Sequence, residues 1–467
     1  MRKEIPVVFA TDENYLFYAC VAISSLAESA KEGTFYHVYI LVAEELMDDY
    51  GLMEKLKLRY PNITLELLKV DTGIFSHVII NNSHITKATF YRLILSELLK
   101  EEKCIYLDAD ILVGEDLTEL FETQIDAYYA AGVRDVWIDI LPEEIREDRR
   151  IRTQIPSMDQ YINAGVLLLN LKKIRQDNMV IKFMDGLKKD YLYEDQDILN
   201  VNCYGNTTFL PAKWNLFTTL MGQLDDMAKC GVPKEIISDY EERKGIYHYA
   251  SRFCRPWERY AGWLNKEWWQ AASKWKEEPV YQELKEYVLR REYENSWQFY
   301  LGKIAEHEKL VIFGFTVYGK KVCDWLLANQ ITKPIIFVDN DIEKQGQAYK
   351  GIPVISLEES MGLPGEVLYI VSSQRRKQEV EQLLLDAGIV RSSIISYIKQ
   401  SRNYYLYLDD RYYERELNDI CMRETGKDLK DMGHSYEEMV CLLKTESVYQ
   451  EWIKWYWMEA WILKEKE

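Results

Sequence analysis

The sequence lacks the features that would place it among secreted, membrane-spanning or repetitive proteins. Its eight cysteines form no Cys-x-x-Cys pair and mostly lie among apolar residues, as reduced core thiols do in the cytosol. No stretch approaches the roughly 20 apolar residues of a membrane-spanning helix, and Met1–Pro6 leads into a strand without a signal-peptide pattern. No internal repeat or low-complexity tract is evident. We therefore expect a cytoplasmic globular protein.

An excess of basic residues is also missing. The formal net charge is −18, which argues against a protein that binds nucleic acid through a basic face. What is present is an ordinary globular composition, 48% hydrophobic and 29% charged, over 467 residues. Because that length exceeds what one core usually serves, we expect two or three domains.

Strand and helix patterns alternate from the start of the chain. The order strand, helix, strand, helix, strand predicts the opening half of a doubly wound sheet, with elements at Pro6–Ala10, Tyr15–Ala30, Tyr36–Val42, Leu46–Leu58 and Ile63–Val70. Asp12 and Asn14 fall at the start of the first helix, where they would cap it, face a ligand, or do both.

The first half of the chain is organised around Lys103–Val113. Its apolar run Cys104–Leu107 predicts a buried strand that ends in Asp108 and Asp110. In open α/β sheets ligands bind at the carboxyl ends of strands, and two carboxylates two residues apart suit a hard cation that bridges to phosphates. Such a pair is also typical of two solvated residues at a strand exit, so its meaning depends on the rest of the chain.

Other polar positions stand out against apolar surroundings. Arg92 would pair either with a structural carboxylate or with an anionic ligand. The Asn163-Ala-Gly165 segment of the predicted strand Tyr161–Asn170 lacks bulk, which predicts that something approaches its backbone closely. Asp195 fits a helix cap, and a lone histidine such as His248 is most often structural.

Two longer stretches join these elements. Glu143–Arg152 has no clear periodicity, so we expect a mobile loop. Leu171–Lys189 is expected to form one long helix.

Six short motifs together resemble the retaining glycosyltransferases of family 8, the group that contains glycogenin and bacterial lipopolysaccharide galactosyltransferases. They occur in the family's order and spacing, and they are Phe9-Ala-Thr-Asp-Glu-Asn-Tyr15, Tyr91-Arg92-Leu93, Tyr106-Leu-Asp-Ala-Asp110, Asn163-Ala-Gly-Val-Leu-Leu-Leu-Asn170, Asp195-Gln-Asp-Ile-Leu-Asn200, and His248-Tyr249 with Pro256-Trp257. Each motif alone is weak, but six in register are specific. The resemblance implies an α/β fold, a single doubly wound nucleotide-sugar-binding domain of the GT-A type.

The resemblance also implies roles for individual residues. Metal ligands would be Asp108, Asp110 and His248, holding Mn²⁺, with Mg²⁺ as the alternative. The nucleotide-sugar donor would contact Ala10, Thr11, Asp12, Asn14, Tyr15, Arg92, Asp108, Ala109, Asp110, Asn163, Ala164, Gly165, His248 and Arg255. Catalytic residues would be Gln196, Asp195 and Asp135, with Gln196 stabilising an oxocarbenium-like state rather than acting as a nucleophile.

One motif departs from the family pattern. The family has His-x-x-Gly-x-x-Lys-Pro-Trp, whereas this chain has a segment one residue longer that ends in Arg255-Pro256-Trp257. Arg255 would supply the charge that the family lysine directs at the diphosphate, but arginine and lysine differ in reach and geometry. Arg252 is the competing candidate for this role.

The second half begins another strand–helix–strand unit. Gly314-Phe-Thr-Val-Tyr-Gly319 keeps two glycines of a dinucleotide fingerprint but has Thr316 at the second position, and Asp339 follows at the distance of a ribose-binding acid. Because the second glycine lets the backbone approach a pyrophosphate, we expect no NAD. The segment resembles the small Rossmann-like domains attached to sugar-modifying enzymes of polysaccharide loci.

The predicted organisation has four parts. They are a family 8 transferase domain at 1–275, a helical connector at 276–302, a Rossmann-like accessory domain at 303–400 and a helical, aromatic-rich tail at 401–467. The tail has balanced charge, so we expect it to dock on protein, either a second copy or a partner transferase, rather than on a membrane surface.

The resulting prediction is a metal-dependent retaining hexosyltransferase. It would move a hexose from UDP-glucose or UDP-galactose to a glycan acceptor in cell-surface polysaccharide or lipopolysaccharide synthesis, in the cytoplasm or at the inner face of the membrane. One alternative is a catalytically silent scaffold that binds sugar nucleotides or glycans. Another places a redox or sugar-modifying activity in the second domain, and Thr316 argues against it.

Overall fold

The structure is a computed structural model that describes residues 4–396 apart from 47, 49, 76, 77, 79–86, 190, 192, 222, 251–254, 259–263, 295, 296, 329, 330 and 373–375. Its described residues fall into two compact units, 4–285 and 286–396. Arg252 and the predicted tail 401–467 lie outside the described residues. Among those described, no helix is both long enough and apolar enough to cross a membrane.

The first unit is built on two sheets. Its described strands are β1 Glu4–Ala10, β2 Phe35–Ala43, β3 Ile63–Val70, β4 Cys104–Leu107, β5 Ile111–Val113, β6 Ala130–Arg134, β7 Ile162–Leu169, β8 Thr207–Leu210, β9 Leu216–Phe217 and β10 Ile246–His248. The larger sheet has the order β3-β2-β1-β4-β7-β6-β8, and the smaller has the order β5-β10-β9. The early strands therefore follow the predicted doubly wound order.

Strand β4 lies near the centre of the larger sheet, and all four of its residues are buried. It runs parallel to β1 and antiparallel to β7. Because β7 is antiparallel, its first residues lie beside the carboxyl end of β4, where the Asp108 N–H donates to the Gly165 carbonyl at 2.8 Å. This juxtaposition brings two of the predicted motifs together.

Helices of the first unit surround these sheets. They are α1 Leu16–Ser29, α2 Leu52–Arg59, α3 Leu95–Leu98, α4 Thr118–Glu122, α5 Val136–Asp139, α6 Glu143–Thr153, α7 Leu171–Gln176, α8 Met179–Gly186, α9 Glu194–Cys203, α10 Leu224–Lys229, α11 Lys234–Glu242 and α12 Asn265–Ala272. Two 3₁₀ segments also matter for the site, Lys87–Ile94 and Ala212–Asn215. Asp12 accepts the backbone N–H groups of Asn14 and Tyr15 in the turn just before α1, but the N-cap residue of α1 is Tyr15 and no side chain caps the helix, so the predicted capping is not observed.

Two sequence predictions about connecting stretches were wrong. The expected mobile loop is helix α6, which has acids in its first turn and Arg150 and Arg152 in its last, a distribution that complements the helix dipole. It has no apolar period because its stability draws on these charges rather than on a buried stripe. The expected long helix is broken at Asn178, whose φ of 50° starts α8 as a separate helix.

The second unit is another open α/β sheet. Helices α13 Pro279–Glu294 and α14 Trp297–Glu306 precede β11 Lys309–Phe313, α15 Val317–Ala328, β12 Ile335–Val338, β13 Ala348–Tyr349, β14 Ile352–Ile355, α16 Leu357–Met361, β15 Val367–Val371, α17 Lys377–Asp386 and β16 Ile394–Ser396. The order is β13-β14-β12-β11-β15-β16, and β13 is the antiparallel edge. Alternate residues of β11 belong to separate cores, one containing α15 and the other α17, so helices cover both faces.

Candidate active site

Three predicted metal ligands come together at the carboxyl end of β4. Asp108 and Asp110 follow that strand, and antiparallel pairing of β10 with β5 places His248 opposite Ile111. His248 Nε2 lies 3.3 Å from Asp110 Oδ1 and 3.9 Å from Asp108 Oδ2. One ligand atom from each residue lies within 4.8 Å of the others. Two carboxylates and an imidazole form a ligand set that suits Mn²⁺ or Mg²⁺ better than a metal that prefers thiolate ligands.

The orientation of His248 is determined by a chain of hydrogen bonds that begins at the backbone. The Gly165 N–H donates to Asn163 Oδ1 at 2.9 Å, so this oxygen is an acceptor. Asn215 must therefore present its amide N–H to the same oxygen, at 2.8 Å. Its own Oδ1 then accepts from His248 Nδ1 at 2.8 Å. Nδ1 therefore carries a proton, and Nε2 faces the two aspartates.

Gln196 is oriented by the same strand. Its Oε1 accepts the Ala164 N–H at 3.0 Å and the Asn163 side-chain amide at 2.9 Å. Its amide N–H then donates to Asp135 Oδ2 at 3.0 Å. The N–H groups of Ala164 and Gly165 are consecutive in β7, and they bind Gln196 and the Asn163 side chain respectively. Strand β7 therefore connects the predicted metal ligands to the predicted catalytic glutamine.

Close approach to the Gly165 backbone was predicted, and the approaching group is the His248 ring. A Cβ on Gly165 would lie 2.3 Å from His248 Cε1 and 2.8 Å from Nδ1. The His248 ring can therefore occupy its place in the cluster only because Gly165 has no side chain.

Arg92 joins the cluster to Asp195. Its guanidinium contacts Asp108 Oδ1 at 2.6 Å and Asp195 Oδ2 at 3.0 Å, and it lies 4.4 Å above the Tyr106 ring. Burial raises the pKa of Asp195 to about 6; Arg92 opposes that shift but is shared with Asp108. Asp195 is therefore not the predicted helix cap. Like Asp197, it lies within the first turn of α9, whose N-cap residue Tyr193 makes no side-chain cap and donates its N–H to Asp197 at 2.9 Å.

Two other carboxylates of the site differ in pKa because their partners differ. Burial raises the pKa of Asp135, and the hydrogen bonds from Asn163 and Gln196 oppose that rise. Burial also acts to raise the pKa of Asp110, but the positive charges of His248 and Arg255 outweigh it and hold that pKa below its ordinary value.

Arg255 closes the opposite side of the cluster. It donates to the Tyr15 hydroxyl at 2.6 Å and to Asp110 Oδ2 at 3.1 Å. The Tyr15 ring makes edge contacts with Tyr18 and Trp257, and burial raises its pKa to about 12. Arg255 thus lies against the cluster, and its competitor Arg252 lies outside the described residues.

One cleft brings most of the predicted donor-binding residues together. Its lining is Ala10, Thr11, Asp12, Tyr15, Ala88, Thr89, Arg92, Tyr106, Asp108, Ala109, Asp110 and Arg255. Asn14 is exposed and is not part of this lining. Asn163, Ala164, Gly165, Asp135, Asp195, Gln196 and His248 form the adjoining hydrogen-bond network instead.

Sequence reasoning missed two residues of this site. Asn215 is fully buried and links His248 to Asn163, and Tyr106 lies beneath Arg92 and donates to Asp108 at 3.1 Å. Asn215 had one available signal, a small amide directly after the apolar Trp214. Tyr106 had only its place at the start of the motif that ends in Asp110, because an aromatic residue in an apolar strand is ordinary.

The family relationship agrees with this geometry. Residues 6–261 match the model of glycosyl transferase family 8, which is more than half of the chain. The chain therefore belongs to glycosyl transferase family 8, and its first unit has the GT-A type of α/β fold.

Individual relatives give the scale of the similarity. The chain is 26% identical to general stress protein A of Bacillus subtilis (strain 168) over 267 residues, 55% of this chain and 89% of that protein. It is 28% identical to lipopolysaccharide 1,2-glucosyltransferase of Escherichia coli (strain K12) over 286 residues, 58% of this chain and 79% of that protein. A crystal structure of an active-site mutant of LgtC superposes with a TM-score of 0.50 at 25% identity, covering 58% of this chain and 96% of that one.

Proposed function

We propose that this chain is a metal-dependent retaining hexosyltransferase that uses a UDP-sugar, UDP-glucose or UDP-galactose, as its donor. A glycan under construction for the cell surface, polysaccharide or lipopolysaccharide, would accept the hexose. The observation that carries this proposal is the continuous network from Asp108, Asp110 and His248 through Asn215 and Asn163 to Gln196. The name of the Escherichia coli relative, a lipopolysaccharide glucosyltransferase, supports the acceptor class.

The donor set fits a divalent cation, with Mn²⁺ favoured over Mg²⁺ by the imidazole. When bound, such an ion supplies Lewis-acid stabilisation of the diphosphate leaving group. Asp108, Asp110 and His248 would hold it. Arg92 and Arg255 line the same cleft and add positive charge for the phosphates.

Gln196 is proposed to stabilise positive charge on the sugar rather than to form a covalent bond. A carbonyl oxygen has two lone pairs, and Gln196 Oε1 already accepts from Ala164 and Asn163. Attack by this oxygen would require at least one of these hydrogen bonds to break. Asp135 and Asp195, one on each side of the network, would position the sugar.

Other predictions enter here as proposals. We propose a Rossmann-like accessory role for residues 303–400 and a docking role for the tail 401–467, with the protein acting in the cytoplasm or at the inner face of the membrane. A catalytically silent scaffold is the weaker candidate, because a binding module has no need of an oriented amide at Gln196.

Incubation with a panel of UDP-sugars tests the proposal. UDP release would be measured with Mn²⁺, with Mg²⁺ and with EDTA, and the anomeric configuration of the product would be determined by NMR. We expect metal-dependent release from UDP-glucose or UDP-galactose and retained configuration. Binding of UDP-sugar without any turnover would favour the scaffold instead.

A further inference from the structure

Helix α6 carries four arginines, and one of them differs in its partners. Three form ion pairs: Arg146 with Asp159 at 3.0 Å, Arg150 with Glu147 at 2.7 Å and Arg152 with Asp148 at 2.8 Å. Arg149 forms no ion pair with any residue in the described part of the chain, and its Nε has no hydrogen-bond partner there.

An aromatic ring holds Arg149 in place. Its guanidinium lies 4.1 Å from the centre of the Tyr193 ring, and Nη2 donates to the Tyr193 hydroxyl. The backbone of Tyr193 is fixed in turn by Asp197, and the residue directly precedes α9, which carries Gln196. Tyr193 is 39% exposed, so solvent reaches this pair.

The charge of Arg149 also reaches Asp135. It acts to lower the pKa of that carboxylate against the effect of burial. Asp135 nevertheless forms no ion pair with Arg149, and its oxygens accept hydrogen bonds from Gln196, Asn163 and the Trp137 N–H instead. A positive charge without an ion-pair partner in the described part of the chain is therefore held near Asp135.

We propose that Arg149 binds an anionic group, a carboxylate or a phosphate, of the glycan acceptor. The inference deepens the proposed transferase function and rests on it. A guanidinium matches both groups through paired N–H donors, and stacking on Tyr193 preorganises it. The excess negative charge of the chain would repel an anionic acceptor, so a dedicated cation is needed where such an acceptor binds.

Binding of small probes to the full-length protein tests this inference. Methyl β-glucuronide, glucose 6-phosphate and the neutral methyl β-glucoside would be titrated by NMR, with UDP and Mn²⁺ saturating so that the donor site is filled. We expect at least one anionic probe to bind about tenfold more tightly than the glucoside, and Arg149→Met to remove that difference. The anionic probe whose affinity falls more in the Arg149→Met variant identifies the bound group as a carboxylate or a phosphate.

Arg150→Met is the matched control, because Arg150 lies on the same helix but is paired with Glu147. It should leave the binding of every probe unchanged. Equal affinity for charged and neutral probes, no detectable binding of either anionic probe, or loss in the Arg150 variant as large as in the Arg149 variant would each overturn the inference. UDP release by the wild-type protein, measured separately, judges the transferase proposal itself.

Discussion

Replacement of Gly165 by alanine should disrupt the proposed metal centre, although Gly165 is not one of its ligands. The new Cβ would lie 2.3 Å from His248 Cε1, whereas ordinary contact begins at 3.4 Å. The ring would have to retreat by about 1 Å, since β7 is enclosed between β4 and β6 and has no room to yield. Metal–ligand distances tolerate only about 0.2 Å, so His248 would leave the ligand set.

The expected loss is large because an inner ligand is affected. Changing a residue that merely orients a ligand costs about 10- to 100-fold in metal affinity. We expect the Gly165→Ala variant to lose about 100-fold or more, which corresponds to about 2.7 kcal/mol at 1.36 kcal/mol per tenfold. Calorimetric titration with Mn²⁺ measures the affinity, and UDP release measures the activity.

Two comparisons separate this mechanism from misfolding. Gly302→Ala adds a Cβ that meets nothing within 4 Å, and it should leave both measurements unchanged. In a double-mutant cycle, Gly165→Ala should add little further loss to His248→Ala, because both act on one ligand. Wild-type Mn²⁺ affinity in the Gly165→Ala variant, or full additivity with His248→Ala, would refute the reasoning.

Four further predictions concern the same site and the second unit. EDTA should abolish UDP release and Mn²⁺ restore it, and Asp110→Ala should lower the rate about 1,000-fold; full activity of metal-free protein would contradict this. Gln196→Ala should lower kcat about 100-fold while donor affinity is kept, and a glycosyl adduct on Gln196 in mass spectra would contradict it. Asn215→Leu removes the acceptor of His248 Nδ1 and should weaken Mn²⁺ binding about 10- to 100-fold, whereas unchanged affinity would show that the ring is oriented otherwise. Calorimetric titration of the full-length protein with NAD and NADP should show no binding, and a micromolar Kd would disprove this.

The position of the two aspartates could be predicted from local rules, whereas their role as metal ligands, with His248, came from the family resemblance. A short apolar strand followed by Asp108 and Asp110 places two carboxylates at the carboxyl end of a strand, whatever the rest of the chain does. The close approach to the Gly165 backbone could also be predicted, since a strand segment without bulky side chains implies a close neighbour. The sequence did not reveal that the neighbour is His248, because β10 pairs with β5 only in the folded chain.

The residues that were missed depend on distant contacts. Asn215 bonds to a residue 33 positions away on one side and 52 positions away on the other, and no local pattern encodes such a pair. Helix α6 was missed for a different reason: its pattern is one of charge, whereas the search was for apolar periodicity. Arg149, the one arginine of α6 without an acid among the described residues, could be recognised only once the ion pairs of the others were known.

The second unit shows how a damaged motif can be explained by packing alone. Gly314 has φ 108°, and a Cβ on Gly319 would lie 2.0 Å from the Gly314 carbonyl oxygen, so both glycines are required by a tight turn. Asp339, at the distance of a ribose-binding acid, accepts the N–H groups of Phe315 and Asp341 and lies 3.2 Å from the Lys344 ammonium. Its carboxylate oxygens therefore hold together the loops after β11 and β12. A dinucleotide would have to displace these bonds as well as accommodate the Thr316 side chain, and the two costs together are the physical basis for expecting no NAD.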